Sequence, residues 1–81
     1  MKVIIVDSKN NKRPINIMDS EPVSELKNQI KGKNIIVGDI ELLFNGQILK
    51  DNDYLMDLGI TDGSIINYLG IFKAGDKIDQ I

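Results

Sequence analysis

A chain of 81 residues, 42% of them hydrophobic, holds enough apolar material for one small domain and too little for two. Charged residues make up 27% of it, mixed in sign and without a basic run, and the net charge is -2, so neither nucleic acid nor an anionic membrane is an expected partner. It contains no cysteine and no histidine, which removes disulfides, thiolate metal sites, thiol nucleophiles and imidazole bases together, and no cofactor is expected.

Residues 1–6 are β-branched or apolar apart from Lys2, and a period of two puts Met1, Val3 and Ile5 on one face, with Ile4 and Val6 on the other. They are too short for a signal-peptide core, and no run approaches the ~20 apolar residues of a membrane span; the expected location is cytoplasmic or nuclear. Polar Asp7-Ser8-Lys9-Asn10-Asn11 follows, and beyond it Ile15 and Ile17 alternate with Pro14, Asn16 and Met18, which completes a β-hairpin. Pro14 cannot donate to a ladder, so this second strand belongs at a sheet edge.

Asp19-Ser20-Glu21-Pro22 reads as a helix start, with capping side chains and a proline suited to the first turn. Val23, Leu26, Lys27 and Ile30 recur at helical steps and predict a helix of about three turns, closed by Lys31-Gly32-Lys33-Asn34. An apolar connector, Ile35-Ile36-Val37-Gly38, leads to a strand over 40–44. Asn45-Gly46 then signals a tight hairpin into Gln47-Ile48-Leu49. Residues 54–60 carry apolar positions at near-helical spacing and stop at glycine, which suits one 3₁₀ or α turn. Thr61-Asp62-Gly63 turns the chain into a last strand over 64–72, interrupted at Gly70, and residues 73–81 are mostly polar.

The order ββαββ(3₁₀)β is α+β, with the helix covering the apolar face of the sheet. From Met1 to about Lys73 the sequence resembles the ubiquitin-like family. The strongest blocks are Val23-Ser24-Glu25-Leu26-Lys27-Asn28-Gln29-Ile30, similar to the family's helix, and Leu42-Leu43-Phe44-Asn45-Gly46-Gln47-Ile48-Leu49-Lys50-Asp51, similar to its strand, glycine turn and next strand. Tyr54-Leu55-Met56-Asp57-Leu58-Gly59-Ile60 continues in register. The resemblance implies a β-grasp fold, a ubiquitin-like roll with a mixed sheet of four to five strands packed on one helix. That domain would occupy residues 1–73, and residues 74–81 would form a tail or linker.

The resemblance further implies a core of Met1, Val3, Ile5, Ile15, Ile17, Val23, Leu26, Ile30, Leu42, Leu49, Leu55, Ile60, Ile66 and Tyr68. Lys27 lies on the core stripe of the helix, where an unpaired ammonium would be costly, and Asp51 matches the family's partner for it. Leu43, Asn67 and Leu69 match the family's recognition patch; strand parity adds Ile4 and Val6. Glu41, Gln47 and Ile71 stand where the patch usually has a basic rim, and Gln47 is counted with the patch.

The implied function is that of a non-catalytic, monomeric module within a larger protein, recognised by proteins such as ubiquitin-receptor or proteasomal domains and linked to the ubiquitin-proteasome system. The alternative is a free modifier processed at Gly75 and conjugated to targets. Against it, Lys73-Ala74-Gly75-Asp76 replaces the Gly-Gly terminus that conjugation needs.

Overall fold

The computed structural model describes residues 1–31 and 40–71. Among these described residues five strands, β1 (Lys2–Val6), β2 (Lys12–Asn16), β3 (Leu42–Phe44), β4 (Gln47–Ile48) and β5 (Ile65–Tyr68), form one sheet in the order β2-β1-β5-β3-β4, accompanied by one helix, α1 (Val23–Ile30), and a 3₁₀ turn, Met56–Leu58. The central pair, β1 with β5, is parallel and the other pairings are antiparallel. A parallel pair cannot be joined by a tight turn, so the chain between them must travel away from the sheet and return. The fold is the α+β β-grasp.

β2 is an edge strand, with Pro14 opposite Ile4 and exposed, where its missing N–H costs the ladder little. The β1–β2 turn places Asn10 in the left-handed region, at φ 66°. Asn45 and Gly46 both have positive φ, 53° and 78°, the requirement of a two-residue turn whose twist matches its flanking strands.

Alternation divides the sheet. Val3, Ile5, Ile15, Leu42, Ile66 and Tyr68 point to the side that Val23, Leu26 and Ile30 cover, and with Ile17, Leu49, Leu55 and Ile60 they form one buried cluster. Each such aliphatic contributes about 1.5–3 kcal/mol on leaving water. Two core assignments need correction. Met1 is only half-buried at the margin of the cluster, and Ile40, absent from the expected set, is fully buried, two residues before Leu42 and on the same side of the chain.

The helix also starts differently from the expectation. Pro22 is the capping residue and supplies no side-chain hydrogen bond, so neither Asp19 nor Ser20 caps. Main-chain carbonyls satisfy the first amides instead: Val23 N–H donates to the Asp53 carbonyl at 2.8 Å and Ser24 N–H to that of Asp51 at 3.1 Å. The loop after β4 therefore does the capping, a long-range solution to the orphan donors of a helix start. α1 spans 8 residues, shorter than expected, and ends where the Lys31 amide donates to the Lys27 carbonyl. The connector, the lysine-glycine stretch after Lys31 and the chain beyond Ile71 lie outside the described residues.

β3 begins at Leu42 rather than at Ile40, although the Leu69 amide still reaches the Glu41 carbonyl at 2.9 Å. β5 stops at Tyr68, short of the expected break at Gly70. The Tyr68 ring lies over Gly70 so closely that a β-carbon there would stand 2.6 Å from it.

Candidate protein-binding site

Residues that alternate away from the core point outward from the sheet. The register aligns Lys12, Val6, Asn67, Leu43 and Ile48 in one row across all five strands, because Val6 is opposite both Lys12 and Asn67 and Leu43 opposite both Asn67 and Ile48. A neighbouring row holds Pro14, Ile4 and Ile65. Aliphatic side chains thus cover much of a sheet face that no helix covers among the described residues: Ile4, Val6 and Leu43 are half-buried, whereas Ile48, Ile65 and Leu69 are 54–60% exposed.

Part of this face is concave. A groove of about 290 Å³ brings together Val6, Leu43, Asn67 and Leu69, four of the six residues expected in the patch. Gly46, Asp7, Ser8 and Tyr68 complete its lining. Ile4 and Gln47 are not among its lining. Ile4 belongs to the adjacent row with Ile65. Gln47 is opposite Phe44, whose ring packs against the core, so the residue facing Leu43 across the hairpin is Ile48. Counting residues from the Asn45-Gly46 turn would have found it, since a two-residue turn pairs the positions on either side and then the next pair out.

In the sequence Asp7 opens a polar stretch between two strands, yet it is buried, with 5% of its surface exposed. Its Oδ1 accepts hydrogen bonds from the Lys9 amide at 2.9 Å and the Asn11 amide at 2.8 Å, and its Oδ2 accepts one from Asn11 Nδ2 at 3.0 Å. The carboxylate folds the turn around itself, as aspartates do when their side chain substitutes for a strand partner. It thereby fixes the groove wall at Asp7 and Ser8, which a further bond, from the Ser8 amide to the Gly70 carbonyl at 2.7 Å, ties to the chain just past β5.

On the opposite side of the molecule, Lys27 is buried and its Nζ donates to Asp51 Oδ1 at 2.6 Å. Asp51 itself is 47% exposed, so the pair spans the boundary between core and solvent. Asp51 serves α1 twice, through its carbonyl on the first turn and its carboxylate on Lys27.

Among the described residues no group of three or more acidic, histidine or cysteine side chains is placed to hold a metal ion, and no helix is long and apolar enough to cross a membrane. A family model described as ubiquitin-2 like, Rad60 SUMO-like, matches residues 1–69, a span that contains every strand, the helix and the whole groove. No curated protein sequence matches the chain.

Proposed function

The chain belongs to the Rad60 SUMO-like, ubiquitin-2-like family, and from that premise we propose that it is a non-catalytic protein-interaction module recognised through the outer face of its sheet. The observation that carries this reading is the groove in which Val6, Leu43, Asn67 and Leu69 meet, on a face lined by aliphatics that no helix covers among the described residues. Aliphatics scattered singly are ordinary on a protein surface, but several converging on one concave region mark a contact site. Asn67 supplies a polar group at its centre to fix orientation.

The proposed partners are proteins that read a β-grasp face, with ubiquitin-receptor and proteasomal domains as the first to test, and the module would work as part of a larger protein in the cytoplasm or nucleus. The rival reading, a conjugated modifier, rests on Ala74-Gly75, outside the described residues. Amide chemical-shift mapping with proteasomal ubiquitin-receptor domains tests the proposal. Leu43, Asn67 and Leu69 should shift together; shifts confined to the α1 side would contradict it.

A further inference from the structure

Charge differs between the two flanks of the groove, and the register shows where. Lys12 on β2 is opposite Val6 and shares its outward direction. On the other flank, Leu42 is opposite Tyr68, both inward and buried, so the next residues out, Glu41 and Leu69, are neighbours across the strands and both point outward. The bond from the Leu69 amide to the Glu41 carbonyl holds them in that register. Cross-strand neighbours of this kind stand roughly 5 Å apart at their β-carbons. Neither Lys12 nor Glu41 has an ion pair or a side-chain hydrogen bond among the described residues.

Lys12 and Glu41 are separated by β1 and β5, hence by three inter-strand spacings of about 4.8 Å, or roughly 14 Å across the sheet. An α-helix with its side chains is about 10–12 Å wide and fits between them. A strand does not suit the place, because β1, β5 and β3 are each paired on both sides and offer no free main-chain edge to extend. Lys50 is exposed beyond Glu41, on the side away from Leu69, so the first charge met by a helix seated over Leu69 is the carboxylate.

Building on the proposed role of this face, we infer that the groove selects an amphipathic helix whose aliphatic stripe is bordered by basic residues on one flank and acidic residues on the other. The basic flank meets Glu41 and the acidic flank meets Lys12. Each is separated from the opposite rim by more than the ~8 Å screening length of physiological salt, so the two flanks act as independent filters. A helix acidic on both sides is repelled at Glu41, and one basic on both sides at Lys12.

Three synthetic helical peptides with one shared aliphatic stripe, carrying mixed, all-glutamate or all-lysine flanks, separate the cases when titrated against the full chain. The mixed peptide should bind about fivefold more tightly than either uniform one at physiological salt, as expected for exposed charge pairs switched from attraction to repulsion. Glu41→Lys should move the preference to the all-glutamate peptide and Lys12→Glu to the all-lysine peptide. Glu41→Gln and Lys12→Gln should each weaken the preference without reversing it, and they give the same answer if a reversal variant fails to fold. An unchanged ranking in these variants, with shifts still centred on Leu43, Asn67 and Leu69, overturns the charge inference and leaves the binding face intact. Absence of shifts at those residues with all three peptides, or affinities indifferent to Leu43→Ala, overturns the binding face itself and this inference with it.

Discussion

The two faces of one sheet are built from the same strands and from nearly the same residue types, yet they have opposite fates. Leu42 and Leu43 are consecutive leucines; the first is fully buried under the cluster that α1 completes, and the second is half-exposed on the groove. Ile66 and Ile65 divide in the same way, at 0% and 58% exposure. Hydrophobic character alone therefore does not tell a folding residue from a binding residue. Parity along the strand does, once the side carrying the helix is known.

The sharpest attempt to break this comparison is to truncate the two leucines in turn. Leu42→Ala should cost about 2–5 kcal/mol of unfolding free energy, the range for emptying a packed core site. Leu43→Ala should cost about 1 kcal/mol or less, since it leaves no enclosed cavity. Equal losses in denaturant melts would mean that the outer face is part of what holds the fold together.

Asp7→Ala comes next. Loss of a buried carboxylate that accepts three hydrogen bonds should destabilise the chain by about 1.5–3 kcal/mol, and the groove wall at Ser8 should loosen with it. Amide exchange at Lys9 and Asn11 would report the opening of the turn. Unaltered exchange there would show that the carboxylate is not what closes it.

Asp51→Ala should have a smaller effect, about 1–2 kcal/mol. The side chain of Asp51 is half-exposed, so water can reach the Lys27 ammonium once the carboxylate is gone, and the Asp51 carbonyl still caps α1. A loss of ~4 kcal/mol would show that Lys27 stays dry without its partner. Gly46→Ala should be milder than Asp51→Ala, at about 1 kcal/mol, because a β-carbon meets no neighbour and only its left-handed backbone resists.

These contrasts also mark what could be read from the sequence. Val3 with Ile5, Val23 with Leu26 and Ile30, and Asn45 with Gly46 follow from local rules of periodicity and turn chemistry, and the fold class follows from their order. Val6, Leu43, Asn67 and Leu69 were legible as a group only through parity combined with resemblance. What local rules could not supply involves distant partners. The capping of α1 by Asp51 and Asp53 joins residues about thirty positions apart, and nothing near Asp19 or Ser20 reveals that their side chains are not used. Asp7 looks like any polar turn residue until the chain folds around it. Ile48 was passed over for Gln47 because family position was followed there and the two-residue turn was not counted.

The central claim is that the inner face folds the chain and the outer face is read by partners. One titration tests both halves: amide spectra of the Leu43→Ser/Leu69→Ser variant, recorded as a receptor domain that shifts the unaltered chain is added. The expected result is a native, well-dispersed spectrum that no longer changes on addition of the receptor. A collapsed spectrum, or the original shifts at Asn67 with the original affinity, would contradict the division of the sheet into a folding face and a binding face.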